Sequence, residues 1–306
     1  MGFTITIIGS NSAVPAHGRH PSAQHISLQD KSYLIDCGEG TQMRMQELNI
    51  RQSRINHIFI SHLHGDHYFG LIGLISTFHL LKRNKPLHIY APKELLPIIN
   101  IQLDAGQTRL CYEIIFHPLN PVSSEMIYEN EDLSVYTIVL KHRIDCLGFL
   151  FKEKQRERKI IKEKMEEYTI PFDLVPDIKK GMDITDPETG KKISNKELTS
   201  DPLRARSYAY CSDTAYNEEM LEQIQGVDLI YHDCTFAEGS RERAFETYHS
   251  TTKQAAEIAK KANAKQLLIG HFSSKYENLQ PLLAEAKEFF PETILAIEGR
   301  VVEIER

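Results

Sequence analysis

The sequence predicts an α/β fold, on three observations. Segments with strand character and segments with helix character alternate through the first half of the chain and again after residue 206. Several predicted strands end within three residues of a histidine or an aspartate. The chain has 306 residues and is 41% hydrophobic, enough to bury a core in one large domain or two small ones.

Taken in order, residues 3–8 alternate as a first strand does, and residues 32–35 form a second. Asp36-Cys37-Gly38-Glu39-Gly40 is a glycine-punctuated turn, followed by a helix over 41–48. Residues 55–61 read as a strand running into His62-Leu63-His64-Gly65-Asp66-His67. Residues 70–81 are apolar on most faces and predict a buried helix; strands follow over 87–90, stopping at Pro92, and over 133–140, ending just before His142. Between Phe151 and Arg206 the texture changes. Residues 152–164 hold seven Lys or Arg against three Glu, and punctuation follows at Pro171, Pro176 and Gly181. This predicts an arm inserted at about 152–206 into an otherwise single domain spanning 1–306. Beyond it, strands over 207–211, 227–231 and 266–269 lead into Asp213, His232-Asp233 and His271. A helix over 252–263 has its start marked by Ser250 and Thr251, with His249 at its entrance.

The formal net charge is -6, so the chain lacks the overall basic excess of an unselective nucleic-acid binder. Attraction for phosphate must be local, in the arm or at bound cations. Cys37, Cys111, Cys146, Cys211 and Cys234 are scattered, odd in number and free of any Cys-x-x-Cys pair, which predicts buried thiols in a reducing compartment. The first strand lacks the basic head and apolar run of a signal peptide, and no later stretch reaches transmembrane length. A cytoplasmic protein without a membrane partner is expected.

The turn from His62 to His67 places four possible metal ligands together directly after a strand, a crowding that only a cation organises well. His62, His142, Asp213 and His271 each stand within three residues of a strand end, so suitably paired strands would bring them to one edge of a sheet. With His64, Asp66 and His67 this makes five imidazoles and two carboxylates. Seven ligands exceed one tetrahedral zinc and suit two ions with room for a shared water.

The His62 to His67 turn, the Asp36 to Gly40 turn and the ordered later ligands resemble the metallo-β-lactamase fold superfamily, and within it the ribonuclease Z family of tRNA 3′-processing endonucleases. Nearly the whole length carries the resemblance, through Phe59-Ile60-Ser61 before the ligand turn, Gly70-Leu71, Tyr208 to Asp213-Thr214, His249-Ser250-Thr251 and His271-Phe272-Ser273-Ser274. It implies a four-layer αββα sandwich with an inserted exosite arm, and two Zn2+ per subunit. His62, His64 and His142 would hold one ion, Asp66, His67 and His271 the other, with Asp213 bridging. The implied reaction is removal of the 3′ trailer from precursor tRNA by metal-activated hydroxide, leaving a 3′-hydroxyl. Asp66 would also accept a proton, His249 would act as general acid or phosphate contact, and Asp233 would orient His249. The arm would grip the tRNA elbow, serving the partner's active site in a homodimer.

The chain departs from the family pattern in several places. His232-Asp233-Cys234-Thr235 replaces the usual His-Glu-Ala-Thr, shortening the carboxylate by one methylene, and Tyr248 replaces a glycine. The arm lacks the family's Gly-Pro pair, and the loop from Val14 to His20 lacks its Arg-Asn pair. Other readings are a binuclear hydrolase of the same fold acting on a small phosphodiester, thioester or lactone, a di-iron redox enzyme, or a non-catalytic tRNA-binding protein. The arm and His249 speak against the first, and His64, where such redox relatives carry a carboxylate, against the second. The complete ligand set speaks against the third.

Overall fold

The structure is a computed structural model that describes residues 2–186 and 189–306; positions 187 and 188 of the predicted arm lie outside the described residues. Strands β1 (Phe3–Gly9), β2 (Ala23–Leu28), β3 (Lys31–Ile35), β4 (Ile55–Phe59), β5 (Leu87–Ala91) and β6 (Ile114–Pro118) lie side by side in chain order. The pairings β1–β2 and β2–β3 are antiparallel, and β3 through β6 run parallel. A second sheet begins with β7 (Met126–Glu129), β8 (Leu133–Val139) and β9 (Leu147–Glu153). After four two-residue strands in the inserted region, β10 (Lys159–Ile160), β11 (Ile184–Thr185), β12 (Lys192–Ile193) and β13 (Thr199–Ser200), the second sheet resumes. Strands β14 (Ser207–Cys211), β15 (Leu229–Asp233), β16 (Gln266–Gly270) and β17 (Thr293–Leu295) are mutually parallel, and β18 (Val301–Glu303) returns to pair with β1.

Alternation along the strands explains the layering, because successive side chains point to opposite faces of a sheet. Ile5, Ile7, Tyr33 and Phe59 of the first sheet meet Phe149, Phe151, Tyr208, Tyr210 and Tyr231 of the second in one buried aromatic core. The opposite face of the first sheet, with Ile58, Leu87 and Ile89, is covered by Leu71, Leu74, Ile75 and Phe78 of the helix Leu71–Leu80 and by Leu95 and Ile99 of the helix Leu95–Ala105. The outer face of the second, with Ala209, Cys211, Ile230 and Ile269, is covered by Ala255, Ala256 and Ala259 of the helix Thr252–Lys261 and by Leu282 and Ala286 of the helix Gln280–Phe289. The result is helix, sheet, sheet, helix. The chain divides into two compact units, residues 2–152 with 206–305, and residues 153–205 with Arg306. The second unit has its own small core of Ile170, Ile178, Ile184, Ile193 and Leu198.

Three expectations shift. The helix Leu71–Leu80 buries one face only: Leu80 and Leu81 are each 72% exposed, because it lies on the outside of its sheet rather than between layers. The strand expected over 227–231 is Leu229–Asp233, so His232 and Asp233 lie inside it. Cys37, Cys146, Cys211 and Cys234 are buried as expected, but Cys111 is exposed.

A titratable cluster near the start of β4 has a measurable consequence. His57 stacks on His88, their ring centroids 4.7 Å apart, and His88 lies 3.0 Å from His117 between ring nitrogens. Burial, reinforced by His88 and His117, pushes the His57 imidazole down to about 3. In the unfolded chain such a group titrates near ~6.5, so the unfolded state binds the proton first and stability falls as the pH drops from ~6.5 toward 3. In urea titrations at about pH 7 and about pH 5, the midpoint of His57→Leu is expected to fall less than that of the parent; an equal fall assigns the acid sensitivity elsewhere.

Candidate metal centre

Each candidate donor reaches the same edge of the sandwich from a strand end. His62 follows β4 by three residues, and His64 precedes the short helix Gly65–Tyr68, which carries Asp66 and His67. His142 lies three residues beyond β8, Asp213 two beyond β14 and His271 one beyond β16. Because β14, β15 and β16 are parallel, their C-terminal ends share an edge, which brings Asp213, Asp233 and His271 together. Asp36, Asp213 and His271 all sit in the left-handed region, with φ of 55°, 53° and 59°. That conformation is uncommon for residues with a Cβ and marks places where the surroundings dictate the backbone.

The seven side chains form two adjoining groups. Donor atoms of His62, His64, His142 and Asp213 lie within 4.8 Å of one another, as do those of Asp66, His67 and His271. Asp213 stands between the groups: its Oδ1 is 3.1 Å from both His67 Nε2 and His271 Nε2, and its Oδ2 is 3.6 Å from His62 Nε2 and 3.8 Å from His142 Nε2. His64 Nδ1 is 3.0 Å from His62 Nε2 and 3.1 Å from His142 Nε2. A cavity of about 400 Å³ opens over His64, Asp66, His142, Asp213, His249 and His271.

An outer ring of hydrogen bonds decides which nitrogen of each imidazole faces inward. His67 donates from Nδ1 to Asp36 Oδ2 at 2.7 Å, His142 donates from Nδ1 to the Tyr248 carbonyl at 3.0 Å, and His271 Nδ1 lies 2.9 Å from Thr235 Oγ1. Ser61 Oγ lies 3.0 Å from His62 Nδ1 and 3.0 Å from Asp36 Oδ2, so it can accept from the imidazole and donate to the carboxylate. With the protons held outward, the Nε2 lone pairs of these four rings point into the site, the arrangement that metal ligation requires. Asp36 Oδ2 also accepts from Tyr210 Oη at 2.7 Å. The turn holding Asp36 fits against the ligand turn because a Cβ on Gly70 would overlap the Gly38 carbonyl and one on Gly38 would overlap the Asp66 carbonyl.

Asp233, although shorter than the family's glutamate, lies 2.7 Å from His249 Nδ1 through its Oδ2, while its Oδ1 accepts from the Thr235 backbone and hydroxyl. Burial works against protonation of His249, but Asp233 outweighs it and raises the imidazole to about 9. Burial disfavours the charged form of Asp213 too, yet His271, His67 and His62 hold its carboxyl well below the usual range. Asp66 is likewise held low by His67 and His271 against its burial, and its Oδ2 accepts from the Ala13 N–H at 2.8 Å. Arg19 is engaged structurally, donating to Asn11 Oδ1 and to the carbonyls of Tyr276 and Glu277.

The donor set fits divalent cations. Nε2 of His67 and of His271 is buried without a properly aligned hydrogen bond among the described residues, even with Asp213 Oδ1 at 3.1 Å. Buried polar atoms left so are costly, and a Lewis acid shared with Asp213 would satisfy both. Sequence reasoning did not single out Asp36, Ser61, Thr235 or Tyr210 as parts of the site. Their only signal is their position at strand ends beside the ligands, since Ser, Thr and Tyr are common in any sheet.

A family model described as Anti-Pycsar protein Apyc1 matches residues 3–160, and one described as a beta-lactamase superfamily domain matches residues 200–272. The chain is 50% identical over 297 residues to a ribonuclease Z of Parabacteroides distasonis, covering 97% of each chain. It is 47% identical over 302 residues to a ribonuclease Z of Bacteroides thetaiotaomicron, covering 99% of this chain and 95% of that one. Among solved structures, the short form of human tRNase Z superposes with a TM-score of 0.73 at 25% identity, over 99% of this chain and 100% of that one. The fold is thereby that of the metallo-β-lactamases, with two large sheets between helical layers. On its near full-length identity to these relatives, the chain belongs to the ribonuclease Z family of endoribonucleases.

Proposed function

We propose that this protein is a zinc-dependent phosphodiesterase that removes the 3′ trailer from precursor tRNA. The observation that carries the reading is the convergence of seven metal donors beside an Asp233-held His249, in a chain related over nearly its full length to proteins named ribonuclease Z. His62, His64 and His142 would hold one Zn2+, Asp66, His67 and His271 a second, and Asp213 would bridge them. Bound there, the pair would supply Lewis acidity, neutralising charge on phosphoryl oxygens and acidifying water.

The chain's own groups divide the remaining work. Asp66, kept ionised by its histidine neighbours and aimed by the Ala13 N–H, serves as proton acceptor on the attacking side. His249 has Nδ1 fixed on Asp233, whose charge favours the protonated ring, so its Nε2–H is free to donate to the departing ribose oxygen. The tRNA is left with a 3′-hydroxyl.

The unit spanning residues 153–205 is the candidate substrate arm of an otherwise single domain. It is cationic along Lys154, Arg156, Arg158 and Lys159 and again at Lys179 and Lys180, suited to reading the shape of a folded RNA through its phosphates. A homodimer fits the outer helices of the first sheet, where Phe69, Leu80, Leu81 and Ile101 are large, apolar and more than half exposed. A cytoplasmic setting fits the free thiols, and among the described residues no helix is long and apolar enough to cross a membrane.

Three outcomes test the reading. After chelation, added Zn2+ at about 100 times its Kd is expected to stabilise the fold by about 2.7 kcal/mol, read as a rise in Tm. The rise should be largely absent in Asp213→Ala; an equal rise in that variant places the cation elsewhere. Asp66→Ala is expected to slow precursor cleavage by roughly 10²- to 10⁴-fold, and cleavage at the parent rate would refute the mechanism. Deleting residues 153–203 should cripple tRNA processing while sparing hydrolysis of a small chromogenic phosphodiester, because the arm binds and the centre reacts. Equal loss on both substrates would contradict that division.

A further inference from the structure

Beside the reaction cavity lies a second one of about 380 Å³, and His249 lines both. Its other walls include Tyr216, Phe245, Tyr248 and Lys141, with Glu246, which is paired with Arg243. Phe245 is 79% exposed and Tyr248 40%, and neither ring packs against another ring among the described residues. The Lys141 ammonium, exposed, has no ion-pair partner among them. Tyr248 holds φ at 58°, a left-handed conformation that caps the helix Arg241–Thr247 and that a glycine would adopt without cost. Its carbonyl meanwhile anchors His142. The chain thus keeps a large aromatic side chain at a backbone position that disfavours one.

Resting on the function proposed above, we propose that this cavity is a nucleobase subsite. It takes the base of the nucleotide whose 3′ oxygen departs, stacked against Phe245 and Tyr248, with Lys141 beside the adjoining phosphate. Three features select a nucleobase rather than an apolar peptide. The cavity adjoins His249, the group aimed at the leaving ribose. It presents free aromatic faces, which stack on any base. Its unpaired cation, Lys141, complements a phosphate. Tyr248 and Phe245 are therefore binding and specificity residues, and the chemistry stays with the metal ligands and His249.

A double-mutant cycle tests this with the full-length enzyme. Precursor tRNA is compared with the same RNA abasic at the nucleotide 5′ of the scissile phosphate, and with one abasic on the 3′ side. Each is cut by the parent, by Tyr248→Gly and by Phe245→Ala. Tyr248→Gly keeps the anchoring carbonyl and relaxes the backbone, and Phe245 is exposed, so both variants retain the fold. The 5′ abasic RNA is expected to lower kcat/KM of the parent roughly 10- to 100-fold. Each variant should show a similar loss on intact RNA, with little further loss on the 5′ abasic one. Losses that multiply in full, variants that cut intact RNA at the parent rate, or sensitivity confined to the 3′ side would each overturn the subsite. If the parent cuts no precursor, the functional reading itself fails. The subsite is then judged by fluorescence anisotropy of the same RNAs: weaker parent binding of the 5′ abasic RNA, a difference absent in Tyr248→Gly, upholds it, and equal binding overturns it.

Discussion

The structure depends on the orientation of imidazoles that crowd one carboxylate. Asp213 faces His62, His67, His142 and His271 within 3.8 Å, and a cation could share that space only with the imidazole protons turned outward. Asp36, Ser61, Thr235 and the Tyr248 carbonyl arrange this from four different elements. The two sheets matter to the chemistry because they hold that ring. Tyr210 illustrates the link: its ring belongs to the aromatic core between the sheets, while its hydroxyl is bonded to Asp36. Packing in the interior and the tautomer of His67 are thereby coupled through one residue.

The same economy runs through His249. Asp233 belongs to a strand, is fully buried, and satisfies a backbone N–H, a hydroxyl and an imidazole together. The shorter acid still reaches because His249 is drawn in by the left-handed turn at Tyr248, which brings its ring beside His142 and His271, with centroids 5.1 and 5.2 Å away.

Much of this was legible in the chain. The histidine-rich turn announces itself by composition, and the strands before Asp213 and His271 are readable because tyrosines in the one and aliphatic residues in the other run together and stop at polar ones. The strand before His232 was displaced by two residues: Val227 and Asp228 precede the ladder, and the buried polar pair His232-Asp233 looks like a loop until its partners on β14 and β16 are known. The outer exposure of Leu80 and Leu81 was hidden for the opposite reason. An apolar run cannot say whether one of its faces or all of them will be covered. Asp36 read as punctuation because its role depends on contacts 25 and 31 residues away, with Ser61 and His67.

The left-handed residues at Asp36, Asp213, Tyr248 and His271 place four bends around the donors. Each bend costs on the order of 1 kcal/mol, a strain supported by the sandwich as it folds. The cup around the donors is thus built into the backbone of a large sandwich, unlike the small finger-like modules whose fold rests on the ion itself.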